Sequence, residues 1–475
     1  MKNAQNGKQF GFMMACFLTS AIFLTACSKP SENFSQTSQS DSTVASNSTT
    51  DTATESPTEG SSDSSIASMT TSTQFADLSE FHASGELTLF QMDPWVDGYS
   101  SSDGYYRMIP REDGSLNLCY IDFTTKQEIV LCNQPNCTHD SDSCTSWFPT
   151  MLGLNIALPV ADKVFIVHGG VMYYDTVLGE ERLPHIEIME PDGSERKQIF
   201  TFSASNLIAP EVVEAMARDD ENLYFCIENH TEEGRTRELC AVSGRTGKVF
   251  KLADLPEVEE KIVGTDGTDL ILSYIPYKYD LGADFSELPM NIVRFNLQTQ
   301  EVTPLFECHV TDVGECVDGQ YWLMCGDSFL RGYDLKTGAL IQEIEIGLPE
   351  GLDTKALFSD GLRDGKLMIH GHRATSTDEP SELFYYAIDI NTGETLRLEH
   401  TWSDSWGTKY PGRIAAQVGD NFMFIYTTES KQVDYLMQDG STMDNDYTVY
   451  QYAFQPVTDY WNNSQEYTPV SELLE

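Results

Sequence analysis

The feature that most restricts the fold of this chain is a pair of short turn signatures that recurs along most of its length. In the first signature, a turn containing Asp, Asn, Gly or Lys opens a short apolar run with strand composition. The seven occurrences are Asp103–Tyr106, Asp162–Phe165, Glu221–Tyr224, Thr268–Ile271, Gly319–Trp322, Gly365–Met368 and Asp420–Met423.

The second signature follows each copy of the first and joins two further strand-like runs through a tight turn. An acidic or amide side chain can close an Asx-type turn, and a Thr-Gly pair then supplies the second corner. The seven occurrences are Asp122–Thr125, Glu190–Gly193, Ser243–Gly247, Asn296–Thr299, Asp334–Gly338, Asp389–Gly393 and a degenerate copy at Gln455–Thr458.

Units of about 50 residues that can each form four strands have the spacing expected of propeller blades. The repeat therefore predicts an all-β fold, a β-propeller of about seven four-stranded blades. Helical periodicity is scarce, and its best candidates are Phe75–Phe81 and Pro210–Arg218. The alternating segment Gly85–Met92 is expected to complete the last blade and close the ring. Two unrelated β-sandwiches are the alternative, but the even spacing contains no linker-like break.

This strand-turn rhythm resembles the divergent propeller domains of bacterial surface proteins. It is similar to quinoprotein-like and low-density-lipoprotein-receptor-like propellers. The Gly-His…Trp-Asp and repeated Tyr-Trp-Thr-Asp signatures of particular propeller subfamilies are not found, and neither are sialidase-type Asp boxes.

The N-terminus has the organisation of a lipoprotein signal peptide. Lys2 and Lys8 precede an apolar run, Phe10–Phe23, that suits a signal-peptide core better than a transmembrane span. Leu24–Cys27 resembles the lipobox of bacterial lipoproteins, which implies a diacylglycerol on the Cys27 sulfur and cleavage in front of that residue. We expect residues 1–26 to be the signal peptide and Cys27 to anchor the chain at the extracytoplasmic face of the cell membrane. An ordinary signal peptide that contains a cysteine is the alternative.

The segment after Cys27 has the composition of a flexible linker. Between Ser28 and Phe75, 25 of 48 residues are Ser or Thr, so the stretch cannot bury enough apolar surface to offset its chain entropy. Residues 27–75 are therefore predicted to be a disordered linker with an average span of about 40 Å. The remaining residues, 76–475, are assigned to the propeller domain.

The charge of the chain restricts its partners. The net charge is −45, and removal of residues 1–26 takes away two lysines and no acidic residue, so the mature chain carries −47. Because such a field repels polyanions, nucleic acid is excluded as a partner. The acidic residues are dispersed, which is typical of general solubility at an exposed surface, although an acidic recognition face is the alternative.

Nine cysteines follow Cys27, an odd number that cannot be paired completely in disulfides. Several lie inside apolar strand-like runs, where a thiol serves as a small buried hydrophobe. The nine are Cys119, Cys132, Cys137, Cys144, Cys226, Cys240, Cys308, Cys316 and Cys325.

One stretch concentrates metal-ligand chemistry, since Cys132, Cys137, His139 and Cys144 fall within thirteen residues. Thiolate sulfur and imidazole nitrogen are the ligands that tetrahedral Zn²⁺ prefers, and four of them describe a closed structural site. Two alternatives remain open: a disulfide among the three cysteines in an oxidising exterior, and plain thiols beside an unrelated histidine. The C-x4-C-x-H-x4-C spacing is not a standard zinc-finger spacing.

The same stretch resembles a Cys-Pro-Cys-His-Cys signature of lipoproteins from Gram-positive anaerobes, where it precedes propeller repeats. Cys132, Pro135, Cys137, His139 and Cys144 fit that signature. The resemblance supports membership of such a group and implies no activity.

His370 and His372 lie on one face of a predicted strand, but no third metal ligand is identifiable beside them. Nucleophile elbows, phosphate loops, dinucleotide fingerprints and His-Glu-x-x-His are not found. The leading functional hypothesis is a noncatalytic binding or scaffold module that engages a protein or glycan at the cell surface. The alternative is a hydrolase or lyase of extracellular polysaccharide or peptide, with catalytic residues converging at the propeller axis.

Overall fold

In a computed structural model, the chain is described over residues 66, 69–91, 97–149, 155–169, 183–203, 206–207, 215–231, 234–255, 261–276, 288–348, 357–373, 382–403, 407–436 and 442–472. All of these residues belong to one compact unit, Ser62–Glu475. Residues 1–65, with Cys27 and most of the predicted linker, lie outside the described part.

The described residues form seven four-stranded antiparallel sheets arranged as a β-propeller, which confirms the predicted fold class and blade number. We number the blades 1 to 7 in chain order. Strand β1 (Thr88–Gln91) precedes blade 1, which consists of β2 (Gly98–Ser100), β3 (Gly104–Pro110), β4 (Leu116–Asp122) and β5 (Gln127–Val130). After β6 (Trp147–Phe148), blade 2 consists of β7 (Asn155–Val160), β8 (Lys163–His168), β9 (His185–Met189) and β10 (Lys197–Thr201). After β11 (Asn206–Leu207), blade 3 consists of β12 (Ala215–Arg218), β13 (Asn222–Thr231), β14 (Gly234–Ser243) and β15 (Val249–Leu255), and blade 4 consists of β16 (Lys261–Asp266), β17 (Asp269–Tyr274), β18 (Pro289–Asn296) and β19 (Val302–His309).

The last three blades follow the same plan. Blade 5 consists of β20 (Val313–Val317), β21 (Gln320–Met324), β22 (Phe329–Asp334) and β23 (Leu340–Glu345), and blade 6 consists of β24 (Phe358–Arg363), β25 (Lys366–Arg373), β26 (Glu382–Asp389) and β27 (Thr395–Arg397). A ribbon of β28 (Thr401–Ser403) and β29 (Lys409–Pro411) follows. Blade 7 consists of β30 (Ile414–Val418), β31 (Asn421–Leu436), β32 (Thr442–Pro456) and β33 (Thr468–Pro469), with helix α1 (Val457–Trp461) between β32 and β33, and β34 (Ser471–Glu472) comes last.

Both turn signatures occupy fixed places in the blades. Each copy of the first lies where the second strand of a blade begins, and each of the first six copies of the second joins the third strand to the fourth. In blade 5, the Asp334 carboxylate accepts hydrogen bonds from the amides of Lys336 and Thr337, at 3.1 and 2.8 Å. Gly338 then has a φ of +71°, a conformation that glycine adopts readily because it has no Cβ. The degenerate seventh copy leads into α1 instead of a tight turn.

The apolar core lies between the blades. Alternate residues of a strand point to opposite sheet faces, so a blade with neighbours on both sides buries both faces. In blade 1, Tyr105 packs toward blade 7 while Tyr106 packs toward blade 2. Seven buried apolar clusters of this kind are found in the described residues, one at each interface of the ring.

The ring closes in a different way from the one expected for Gly85–Met92. β1 pairs with β12, the first strand of blade 3, and not with the last blade. An alternating strand fits any free sheet edge, so the sequence pattern could not select the blade; Met92 itself lies outside the described residues. Closure comes from the C-terminus, where β33 pairs with β32 of blade 7 and β34 pairs in parallel with β5 of blade 1.

A buried ion network also joins blade 7 to blade 1. The Arg107 guanidinium donates to both carboxylate oxygens of Glu128, at 2.5 and 2.6 Å, and to Asp97 at 3.2 Å. It also donates to the backbone carbonyl of Tyr450 in blade 7, at 2.6 Å. Tyr452 donates to the other Asp97 oxygen at 2.5 Å. Arg107 is only 1% exposed, so the guanidinium is enclosed by its partners.

The N-terminal segment runs across blade 3 before it reaches β1. Ser72 pairs with Phe200 of blade 2, and the Ala76 amide donates to Val249 in the outer strand of blade 3. Ser84 then bonds to the turn that follows β12. Residues 69–75 therefore pack on the propeller although their composition had assigned them to the linker. Three apolar residues explain the difference, because Ile66 and Met69 are buried in the cluster between blades 2 and 3 and the Phe75 ring stacks on Phe200, with 5.4 Å between the ring centroids.

The two helical candidates have different outcomes. Leu78–Glu80 within the first forms a single 3-10 turn. In the second, Ala215–Arg218 is strand β12, and the preceding residues of the candidate lie outside the described part. None of the helices in the described residues has the length and apolar character needed to cross a membrane.

The antiparallel blades define two faces of the ring. The turns between first and second and between third and fourth strands lie at one end of each blade, which we name the turn face. The turns between second and third strands and the connections between blades lie at the other end, which we name the loop face. The N-terminal segment lies on the turn face, since Ser84 bonds to the β12–β13 turn and the Leu87 amide donates to Gly267 in the β16–β17 turn.

Candidate metal centre

The four predicted ligands lie in the connection between blades 1 and 2, on the loop face. We name residues 131–149 the Cys/His loop. It starts at Leu131, whose side chain is buried between the two blades. It ends beside Ser146, whose backbone and hydroxyl both bond to Leu118 of β4. These two anchors hold both ends of the loop on the sheet of blade 1.

The loop backbone contains two residues in the left-handed region, Asn136 and His139, with φ of +58° and +54°. Asparagine tolerates this conformation better than most residues, which explains an asparagine at the first position. The Asn117 side chain donates to the His139 carbonyl at 2.9 Å and thereby holds the second turn. These turns fold the thirteen-residue stretch back on itself.

The fold brings all four predicted ligands together. The three Sγ atoms of Cys132, Cys137 and Cys144 and one His139 ring nitrogen lie within 4.8 Å of one another. The His139 Nδ1 is 3.3 Å from Cys144 Sγ. Ligand atoms on a tetrahedral zinc ion lie about 3.3–3.8 Å apart, given Zn–S bonds of about 2.3 Å and Zn–N bonds of about 2.0 Å. The cluster could hold a metal ion after small side-chain adjustments, and its three cysteines are free thiols here.

The pKa values of the Cys132 and Cys144 thiols are shifted in opposite directions. Burial raises the pKa of Cys132, but hydrogen bonds to its sulfur from the Gln134 amide and from the Cys144 and Cys137 thiols outweigh burial, so its pKa is lowered overall. Burial raises the pKa of Cys144 to about 12. Cys132 therefore loses its proton before Cys144, and the closeness of the sulfurs opposes ionisation of Cys144. A bound cation would remove this opposition, because metal ligation deprotonates thiols.

Blade 2 packs against the back of the loop. A Cβ at Gly193 would lie 2.3 Å from the Leu131 carbonyl oxygen, so the close approach requires glycine there. Arg196 of blade 2 donates to the carbonyls of Thr145 and Trp147, at 3.1 and 2.6 Å. The loop therefore bridges two blades and is not an isolated excursion of one.

A second group of ligand-type side chains lies in blade 2 and was missed by the sequence analysis. His168, His185 and Glu187 bring two imidazole nitrogens and a carboxylate oxygen within 4.8 Å of one another. Burial raises the pKa of Glu187, but His168, Arg196 and His185 lower it by more, to about 2. No motif could have indicated this group, because His168 meets the other two residues only through the pairing of β8 with β9.

The pair His370 and His372 does not form a metal site in the described residues. His370 Nδ1 lies 2.9 Å from Asp360, which also contacts Arg413 at 2.7 Å in a buried charge cluster. The two imidazole rings are 6.1 Å apart and nearly perpendicular. Among the other cysteines, burial confirms the predicted core positions of Cys119, Cys226, Cys240 and Cys308, whereas Cys316 and Cys325 are half-buried.

No protein family model matches the chain, and no curated protein matches it in sequence. Solved structures resemble it in fold. The propeller domain of the Trilobed protease from Pyrococcus furiosus has 10% identity and a TM-score of 0.42, covering 82% of this chain and 99% of that domain. BamB from Moraxella catarrhalis has 12% identity and a TM-score of 0.34, covering 78% and 94% of the two chains.

A prolyl endopeptidase has 11% identity and a TM-score of 0.38, covering 78% of this chain. The chain spans only 46% of the length of that enzyme. At these identities the likeness concerns the propeller fold alone.

Proposed function

We propose that this chain is a lipoprotein anchored through Cys27 at the extracytoplasmic face of a bacterial membrane, in the manner of Gram-positive surface lipoproteins. Its loop face would bind a protein or glycan at the cell surface without chemical conversion. The observation that carries the proposal is where two features attach: the N-terminal segment bonds to turn-face turns of blades 3 and 4, and the Cys/His loop is held at the loop-face end of β4 by Asn117 and Leu118.

The path of the N-terminal segment supports this orientation. The segment meets the outer strands of blades 2 and 3 at Ser72 and Ala76, and then follows the turns of blades 3 and 4. Among the described residues, the contacts of residues 69–87 therefore lie at the rim and the turn face. The negative charge of the chain disfavours contact with anionic lipid, which also suits a domain held away from the bilayer.

The anchor is tested by a matched pair of cysteine variants expressed in a Gram-positive host. Cys27→Ser should lose incorporation of labelled fatty acid and should move from the membrane fraction to the medium. Cys16→Ser, which lies within the apolar run of the signal peptide, should behave like the unmodified chain. Equal lipid labelling of the two variants would refute the assignment of Cys27.

The binding face is tested by blocking each face in turn. Asp142→Trp places a bulky group on the exposed Cys/His loop, and Lys336→Trp places one on an exposed turn of the turn face. Capture of envelope proteins and glycans by the full chain should fall with the first variant and persist with the second. The reverse result contradicts the proposal, and release of cleaved glycan or peptide would favour the hydrolase or lyase alternative.

For the Cys/His loop we propose a structural zinc ion held by Cys132, Cys137, His139 and Cys144. Four protein ligands fill a tetrahedral shell, so the ion would stabilise the loop and would leave no position for substrate. The loop should account for about one equivalent of co-purified zinc, which should be lost on His139→Ala and retained on His82→Gln, a control at an exposed histidine. Metal-free protein whose mass is two units below the fully reduced value would instead establish the disulfide.

A further inference from the structure

We propose that His168, His185 and Glu187 form a second metal site, which binds a divalent ion of the zinc class and keeps at least one coordination position open. The site lies at the loop-face end of blade 2, where β8 ends and β9 begins. It is independent of the lipid anchor and of the ligand proposed above.

Strand register places the three side chains on one side of the sheet. His168 pairs directly with His185 across β8 and β9. Glu187 lies two residues further along β9 and therefore projects from the same face as His185. His168 Nε2 is 3.5 Å from one Glu187 oxygen, and His185 Nε2 is 3.9 Å from the other. These separations are close to the roughly 3.3–3.5 Å between ligand atoms of a tetrahedral N/O site with bonds of about 2.0–2.1 Å.

The hydrogen bonds of the two imidazoles determine which atoms can ligate. His168 Nδ1 lies 2.6 Å from the side-chain oxygen of Asn155, and His185 Nδ1 lies 2.8 Å from the Leu183 carbonyl oxygen. Both oxygens can only accept, so each Nδ1 carries a hydrogen, and the neutral form of each ring has its lone pair on Nε2. Donation from the remote ring nitrogen to a carbonyl is the arrangement that orients histidine ligands in metal sites.

The two imidazole rings are stacked, with 4.0 Å between their centroids and 16° between their planes, so their Nε2 lone pairs run side by side. Binding of one ion by both rings therefore requires at least one imidazole to rotate. The two Nε2 atoms point toward Glu187, whose carboxylate accepts hydrogen bonds but donates none. His168 Nε2 is enclosed and makes no hydrogen bond. Either a hydrogen on His168 Nε2, donated to Glu187, or a bound metal ion satisfies these groups, and the cobalt titration below distinguishes the two. The His185 side chain is 21% exposed, which leaves a path by which an ion can enter.

Arg196 positions the carboxylate without filling the site. Its Nε donates to Glu187 Oε2 at 2.7 Å, while its Nη1 donates to two carbonyls of the Cys/His loop. The guanidinium also lies 4.0 Å above the Phe148 ring, which holds it to one side. Ligating carboxylates are commonly held by such outer partners. Glu187 Oε1, on the side of His185, remains available to an ion.

The donor set specifies the class of ion. Two imidazoles and one carboxylate suit zinc and similar late divalent ions, whereas calcium and magnesium prefer oxygen ligands alone. The described residues supply three ligands to this group, which leaves a fourth position for water or for an oxygen atom of a ligand on the loop face. This site therefore differs in kind from the Cys/His loop, whose four ligands fill the shell.

Cobalt(II) titration of the purified full chain separates the two sites, because only thiolate ligands produce a sulfur-to-metal charge-transfer band. We expect two equivalents to bind, one with that band and one with weak visible bands alone. His185→Gln should weaken the second equivalent by more than about 100-fold and should leave the first unchanged. Glu187→Gln, a second variant of similar volume, should do the same.

His82→Gln serves as the control, since it removes an exposed histidine outside both groups. Thermal unfolding of each variant tests whether the propeller is retained. Binding of a single thiolate-bound equivalent by the unmodified chain would overturn the proposal. A second equivalent that binds His185→Gln and Glu187→Gln with unchanged affinity would also overturn it.

Discussion

Blade 1 meets its two neighbours in contrasting ways. Against blade 7 it buries a complete ion network around Arg107, whose guanidinium has no access to solvent. Against blade 2 it adds the half-buried Cys/His loop and the bridge made by Arg196. The contrast teaches that the ring is closed by groups satisfied within the protein, whereas the neighbouring interface carries groups that can accept an ion from solution.

The largest expected effect comes from breaking the network at the interface of blades 1 and 7. Arg107→Met should lower the free energy of unfolding by about 3–5 kcal/mol, because Glu128 and Asp97 keep buried charges without their partner. Urea denaturation with and without the substitution measures the loss. Arg111→Met, at a half-buried arginine of the same blade, is the control. A loss below about 1 kcal/mol would show that the network is not needed for closure.

Metal removal should lower the free energy of unfolding by less, and its structural effect should be confined to the interface of blades 1 and 2. If the Cys/His loop binds zinc, free ion at 100 times the dissociation constant adds about 3 kcal/mol to the stability. A chelator should remove that increment and should leave the β-sheet circular dichroism signal intact, because the blade cores do not depend on the loop. A chelator that unfolds the whole domain would contradict this separation of roles.

Arg196→Met addresses the bridge between the two ligand groups. We expect a loss of about 2 kcal/mol, since the substitution removes one charged hydrogen bond and two bonds to loop carbonyls. The same substitution should tighten metal binding at the His168 group, because it removes a positive charge beside Glu187. Cobalt titration of the variant measures the second effect, and weaker binding would indicate that Arg196 is needed to orient the carboxylate.

The smallest expected effect is a pH dependence of the free energy of unfolding. It arises from His400, which lies away from both interfaces of blade 1. Burial lowers the pKa of His400 below its ordinary value of 6.5. The unfolded chain therefore takes up a proton first as the pH falls, so the stability associated with neutral His400 is complete above pH 6.5 and is lost below it. Between about pH 7.5 and about pH 5.5, we expect a loss of about 1 kcal/mol or less. His400→Gln should flatten the thermal-unfolding profile over this range, whereas His82→Gln should not.

The blades could be predicted from the sequence because each turn signature is chemically complete within a few residues. Asp334, for example, closes its turn on the amides of Lys336 and Thr337 without help from the rest of the fold. The Cys/His loop could be predicted for the same reason, since its four ligands lie within thirteen residues of the chain.

Features that depend on register could not be predicted. His168 and His185 are adjacent only because β8 and β9 pair as they do. Ring closure depends on β34, a two-residue strand whose Ser471 and Glu472 carry no strand signature. The early start of the domain also depends on the stacking of Phe75 on Phe200, a contact that cannot be predicted from a Ser/Thr-rich composition.

The course of the N-terminal segment also has a mechanical consequence. A pull on the N-terminus would first load the buried side chains of Ile66 and Met69, and then the parallel bridge at Ser72 and the stacked ring of Phe75 at the outer strand of blade 2. It would next load the Ala76 contact on blade 3, and only then β1 along β12. The C-terminal strand that closes the ring lies outside this series of contacts. Traction would therefore peel the segment from the rim before any force reached the closing strands of blades 1 and 7.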